Sequence, residues 1–247
     1  MGKSIIIILV LLVVVVYLAL LPVDERAKEL LFEESRWSSA QIAQLKTGPH
    51  YLSADLVIDI PPPNSPYSIE TDEEIAYMRM LEERRTPAQE DLINSQIDDF
   101  RAYFLEQAGI SPSTKPLTLL LMKEVMNETG FFILREKWRF QRARPYDVEP
   151  TLDISIALPP HASYPSGHAG QSWAAALLLS ELDSKRRDLW LETARSIGHN
   201  REIAGVHFPS DTSVGQRLSD QVMSLLLENQ EFKTKFAQTK ELEWNIE

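Results

Sequence analysis

The sequence predicts an all-α protein with one apolar helix at its start, and three observations carry that prediction. Glycine is scarce, at 9 residues, while leucine, alanine, glutamate and isoleucine are plentiful, a composition that favours helix. Helix-start signals recur along the chain ahead of apolar residues spaced by three and four. No segment of useful length alternates apolar with polar residues as a half-buried strand would.

The first element is the apolar run Ile5 to Leu21, 17 residues preceded by Lys3. It sits at the short end of a membrane span and is longer than the usual signal core. Positive charge before the run, and nearly balanced charge after it, place its start in the cytoplasm and the remainder outside. Tyr17-Leu18-Ala19 is a poor cleavage site, so a retained anchor is favoured over a cleaved signal. A buried core helix is the weakest reading, because the run is terminal and apolar on every face. Residues 1–22 are therefore read as signal anchor or signal peptide, and the rest of the chain as periplasmic or extracytoplasmic.

Residues 23–49 read as a connector with some helix. Pro61-Pro62-Pro63-Asn64-Ser65-Pro66 must be extended loop, since proline is excluded from helix interiors and central strands. A helix is expected from about Ile69, capped by Thr71 or Asp72, with Glu73 and Glu74 in its first turn. Thr86-Pro87 is a cap followed by a first-position proline, and Ile93, Ile97, Phe100 and Phe104 then recur at helical spacing up to Gly109. Ser113 and Pro116 open the next helix, with an interruption expected at Gly130 before Phe131 to Arg142. Further helices are expected from Gly167, over Arg187 to Ile203, and over Thr212 to Gln230. These elements define a helical domain over 50–230, and 231–247 reads as a charged, weakly amphipathic tail.

The totals bound the function. A chain of 247 residues supports one good-sized core or two small ones. A net charge of −11 makes the surface repel nucleic acid, so an anionic substrate needs a local basic pocket. Without cysteine there is no disulfide, thiolate metal site or cysteine nucleophile.

Three segments within 75 residues carry the chemistry: Lys137-x6-Arg144-Pro145, Pro165-Ser166-Gly167-His168, and Arg201-x5-His207-x3-Asp211. In the first, Arg135, Lys137, Arg139, Arg142 and Arg144 cannot all share one helix face. Lys137 and Arg144, seven apart, would lie two turns apart on the same face, with Pro145 ending the helix. Guanidinium and ammonium groups grip phosphate oxygens, although a basic segment alone is more often a solvated face. In the second, Ser166, Gly167 and His168 stand at a helix start, where free N–H groups favour an anion and the imidazole can protonate a leaving oxygen. The plain alternative is a serine-capped helix with an incidental histidine. In the third, Asp211 can fix the tautomer of His207 and leave its other nitrogen free to attack. Pro209 puts a regular helix there in question, so the pairing is expected from a helix or from a loop.

Together the three segments resemble the signature of the type 2 phosphatidic acid phosphatase (PAP2) superfamily. Ala162-Ser163-Tyr164-Pro165-Ser166-Gly167-His168 is similar, more narrowly, to the matching string of class A bacterial non-specific acid phosphatases. Tyr51-Leu52, Pro61-Pro62-Pro63, Ser65 and Asp72 resemble the proline-rich start of that class. The likeness spans about 50 to 225, with departures at Asn200, usually serine, and Ala169, usually threonine. The resemblance implies a metal-independent acid phosphatase with no cofactor that works through a phosphohistidine. His207 would be the nucleophile, Asp211 its orienting group, and His168 the acid and then the base. Lys137, Arg144, Arg201, Ser166 and Gly167 would bind the phosphate. On this reading His207 is neutral and His168 protonated, which gives a bell-shaped profile on the acid side. His50, His161 and His199 fall outside the pattern as loop or surface histidines, with His161 near enough to line the pocket.

The implied partner is a small phosphomonoester, with no nucleic acid. Membrane contact would come only through the N-terminal segment if it is retained, and the resemblance is compatible with a homodimer or larger assembly. Three rival readings remain. A vanadium haloperoxidase-like enzyme would oxidise halide with vanadate. A lipid phosphatase would prefer micellar phosphatidate. An inert membrane-tethered helical module would turn over nothing.

Overall fold

The computed structural model describes residues 30–97 and 99–245. The apolar run at 5–21, and with it the anchor and compartment expectations, lies outside them. Ten α-helices and two short 3-10 turns make up the regular structure of the described residues, with no strand among them beyond one isolated bridge between Leu31 and Arg142.

The helices run in chain order as α1 Ser39–Thr47, α2 Ile69–Arg84, α3 Pro87–Ser95, α4 Phe100–Ala108, α5 Pro116–Phe140, α6 Pro145–Val148, α7 Gly167–Leu182, α8 Arg187–Ile203, α9 Pro209–Leu226 and α10 Gln230–Glu243. Helix α7 is the hub, and it packs against α5, α8 and α9. It is built for that position. Ala174, Ala175, Ala176, Leu178 and Leu179 are all buried on it, so it is apolar around its circumference, as a central helix should be. Its crossing with α9 is set by two glycines. A Cβ on Gly215 would stand 2.6 Å from the Ser166 carbonyl oxygen, and one on Gly170 would stand 2.9 Å from that of Gly215.

Several boundaries differ from the expected ones, each for a local reason. The helix expected to break at Gly130 runs unbroken from Pro116 to Phe140. Gly130 is there for space, since its Cβ would meet the Gln171 amide at 2.7 Å. That helix ends at Gln141, in the left-handed conformation at φ 46°, so Arg144 is not on it and the two-turn argument does not hold. Pro145 is the first residue of α6 rather than the stop of α5. Ser68, not Thr71 or Asp72, caps α2. The expected span from Pro87 to Gly109 is divided between α3, which ends at Ser95, and α4, which begins at Phe100.

The last segment is packed rather than appended. Phe232 of α10 is fully buried and meets Tyr51 edge-on, with ring centroids 5.5 Å apart. Glu243 accepts hydrogen bonds from the Leu117 and Thr118 amides at 2.7 and 2.9 Å, placing a carboxylate on the positive end of α5. The segment before α1 is also docked. Phe32 and Trp37 are buried against Leu134 and Ala162, and the Trp37 indole donates to the Gln141 side chain at 2.9 Å.

The closeness of α7 and α9 generates a first prediction. Gly215→Ala pushes a methyl group into backbone and should cost about 1–3 kcal/mol, read as a lowered Tm. An unchanged Tm would contradict the crossing described here.

Candidate active site

The three segments converge where α5, α7, α8 and α9 meet. A cavity of about 410 Å³ is lined there by Lys137, Gly167, His168, Arg201 and His207, with His161 and the apolar residues Ile133, Leu134 and Leu158 around them. Arg144, Ser166 and Asp211 are fully buried behind this lining. All the residues expected from the three segments are therefore in one place.

Asp211 is the third residue of α9, and Pro209 opens that helix instead of disrupting it. The Phe208 amide donates to Asp211 Oδ2 at 3.1 Å, and His207 Nδ1 lies 3.1 Å from the same oxygen. The His–Asp pair thus spans a helix start, neither a helix face nor a free loop. Ser163 Oγ donates to Oδ2 at 2.5 Å and the Arg142 guanidinium to Oδ1 at 2.6 Å. Burial alone would raise the Asp211 carboxyl, but Arg142, His207 and Ser163 outweigh it and hold the group below the usual carboxylate range. An ionised Asp211 fixes the proton of His207 on Nδ1, which leaves the Nε2 lone pair free.

Nε2 sits in a cationic setting. One Arg144 nitrogen is 3.5 Å from it. Arg144 itself is held rigid by carbonyls, donating to His161 at 3.0 Å and Val206 at 2.6 Å. Lys137 Nζ donates to the Ala162 and Ser163 carbonyls at 2.8 and 2.6 Å. Arg201 donates to the Ile93 carbonyl at 3.1 Å, and its buried Nε has no partner among the described residues. Burial lowers both Arg144 and Arg201 to about 10. Burial, then the neighbouring Arg144, pulls Lys137 well below the ordinary lysine value. A bound anion would relieve each of these cations.

Both candidate histidines are neutral in this arrangement. Burial, Lys137 and Arg144 push His207 well below the usual imidazole value despite Asp211. Burial and the Arg201 charge push His168 down to about 3. Burial, then the Arg201 charge, thus opposes in the free protein the protonated His168 that the resemblance implies. His168 Nε2 is 3.0 Å from the Gln96 carbonyl oxygen, an acceptor, so Nε2 holds the proton of the neutral ring.

Ser166 caps α7, accepting from the Ala169 amide at 3.5 Å, and its own amide donates to the Asp211 carbonyl at 2.9 Å. Of the first-turn amides of α7, that of Ala169 is taken by the Ser166 cap, which leaves those of Gly167 and His168 as candidate anion donors at the helix start. Gly205, at φ 78°, turns the chain between Arg201 on α8 and His207 ahead of α9.

Other site members were not singled out in the sequence. Arg142 stood among five cations, and only the fold sorts them: Arg135 and Arg139 pair with Glu136 on the far side of α5. Ser163 was visible within the matched string, but its bond to Asp211 was not. Gln96 sits in the break between α3 and α4, where its side chain accepts from Asn200 at 2.9 Å while its carbonyl meets His168. This gives Asn200, the departure before Arg201, a structural partner. His161, expected as a loop or surface histidine, lies against Arg144 with 3.0 Å between Nδ1 and the guanidinium.

The family model of the PAP2 superfamily matches residues 116–219, a span that holds every expected site residue. Among curated proteins the chain is similar to a non-specific acid phosphatase of Providencia stuartii, 28% identical over 126 residues, 49% of this chain and 51% of that protein. It is also similar to a decaprenylphosphoryl-5-phosphoribose phosphatase of Mycobacterium tuberculosis (strain CDC 1551 / Oshkosh), 31% identical over 86 residues, 35% of this chain and 46% of that protein. The chain thus spans about half the length of the curated relatives it matches. Among solved structures, a bacterial vanadium-dependent iodoperoxidase superposes with a TM-score of 0.54 at 16% identity, over 69% of this chain and 52% of that one, a likeness of fold.

The cation cluster predicts anion binding in its own right. Inorganic phosphate at about 100 times its Kd should stabilise the protein by about 2.7 kcal/mol, seen as a raised Tm. Arg201→Ala should remove most of that shift, whereas a full shift in the variant would contradict the role given to the unpaired Arg201 nitrogen.

Proposed function

We propose that this chain, which belongs to the PAP2 superfamily through residues 116–219, is an acid phosphatase that hydrolyses small phosphate monoesters through a phosphohistidine on His207. One observation carries the reading: a neutral His207, oriented by Asp211, presents its free Nε2 beside Arg144 in a cavity shared with Lys137, Arg201 and His168. The name of the Providencia stuartii relative supports the same reaction class.

In the first step the Nε2 lone pair attacks phosphorus and the P–O ester bond breaks, its electron pair leaving on the alcohol oxygen. Lys137, Arg144, Arg201 and the first-turn amides of α7 hold the three non-bridging oxygens and stabilise their charge, the main task in phosphoryl transfer. His168 gives its proton to the leaving oxygen. In the second step His168 takes a proton from water, which attacks phosphorus and frees His207. The apolar side of the cavity, with Ile133, Leu134 and Leu158, receives the alcohol.

The neutral state of His168 decides how the reaction depends on pH. A substrate entering as its monoanion brings one proton into the site. Its negative charge raises the His168 basicity that Arg201 had lowered, so that proton can pass to the imidazole. On this account kcat/KM falls as pH rises through the second pKa of the substrate phosphate, roughly 6, and not through a titration of the free protein. Aryl and alkyl phosphates of different second pKa should therefore shift the basic limb in parallel with that pKa. A limb fixed at one pH for every substrate would instead assign it to a group on the enzyme.

His207→Ala should abolish p-nitrophenyl phosphate hydrolysis in excess chelator while leaving the helical circular dichroism intact. Turnover at an unchanged rate would remove His207 from the reaction.

A further inference from the structure

We propose that Glu74 is a positioning residue for the phosphorylation step: by sharing the Arg142 guanidinium, it keeps the charge of Asp211 available to the cation that His207 becomes. The proposal rests on the phosphohistidine reading above.

Glu74 lies in the first half of α2, outside the family-matched span, yet it reaches the back of the site. Arg142 donates to Asp211 Oδ1 at 2.6 Å with one terminal nitrogen and to Glu74 Oε2 at 3.1 Å with the other. Its plane is fixed by the Phe208 ring, 4.0 Å away, and by a bond to Ser210 Oγ at 2.8 Å. The second Glu74 oxygen accepts from the Ser210 amide at 2.6 Å, in the first turn of the helix that carries Asp211. The Arg142 side chain is 5% exposed and that of Glu74 12%, so solvent screens neither pair well.

Charge bookkeeping shows why a second carboxylate matters. When Nε2 bonds to phosphorus, Nδ1 keeps its proton and the ring gains one positive charge. Asp211 faces that charge, but Arg142, closer to Asp211 than His207 is, offsets it. With Glu74 in place the chain Glu74–Arg142–Asp211 carries a net negative charge, which balances the phosphoimidazolium. Without it Arg142 cancels Asp211, the attack loses its counter-charge, and the phosphorylated ring, once formed, is a better leaving group. The two steps therefore respond in opposite senses, which a loss of packing alone would not produce.

The test compares wild type with Glu74→Gln and Glu74→Asp in the full chain. It uses p-nitrophenyl phosphate for kcat and KM, Tm as a control for folding, and a radiolabelled phosphomonoester with alkaline quench for the steady-state phosphohistidine fraction. Glu74→Gln keeps an acceptor for the Ser210 amide and loses the charge. The expected result is a kcat lowered by about 10- to 100-fold, the range seen when partners supporting a reacting group are removed. KM should change little, the phosphohistidine fraction should fall, and Glu74→Asp should recover part of both. The proposal is overturned if Glu74→Gln keeps the wild-type kcat and phosphohistidine fraction. It is equally overturned if kcat falls only together with Tm while the fraction stays constant. A wild type that hydrolyses no phosphomonoester would defeat the underlying reading instead, and this role with it.

Discussion

One buried carboxylate organises the site. Asp211 takes hydrogen bonds from a guanidinium, a hydroxyl, a backbone amide and an imidazole, and the donors come from three places in the chain: Arg142 after α5, Ser163 before α7, and the adjacent His207 and Phe208 at the start of α9. An ionised group in the interior is tolerated only with its lone pairs satisfied, so these four partners are mutually required. The site and the core are consequently a single construction. Removing the carboxylate would free His207 to rotate and leave Arg142 with Glu74 and the Ser210 hydroxyl.

The cations around His207 follow a related logic. Lys137, Arg144 and Arg201 are each anchored on backbone carbonyls, which hold the side chains in place without neutralising them. Burial, and after it their field, pushes both histidines below the usual imidazole value. A site arranged in this way is costly when empty and relieved by an anion, which is the signature of electrostatic preorganisation.

Much of this was legible in the sequence because the informative residues are local. Thr86-Pro87 and Ser166-Gly167 announce helix starts by capping and proline geometry, and both are found. His207 and Asp211 are four apart, the spacing of neighbours across one helical turn. What stayed hidden depends on long-range packing. The five cations of the basic segment are alike as a string, and only the position of α9 sorts Arg142 toward Asp211, while Arg135 pairs with its neighbour Glu136. Gly130 reads as a breaker by propensity but is a contact point for Gln171, an instance of tertiary packing overriding a local preference. The segment from 231 reads as a charged, weakly amphipathic tail, and its composition does not reveal that one of those charges, Glu243, accepts from the first amides of α5. The basicity of His168 depends on Arg201 and on burial, neither of which a sequence displays.

On the proposed function, a phosphoryl group passes through a covalent bond to His207. The most direct measurement is mass spectrometry of peptides from enzyme quenched in alkali during turnover, under conditions that preserve phosphohistidine. The account predicts a phosphoryl adduct on His207, absent from His168 and His161 and absent when substrate is omitted. Sustained turnover with no adduct on His207, or with the adduct on another residue, would contradict it.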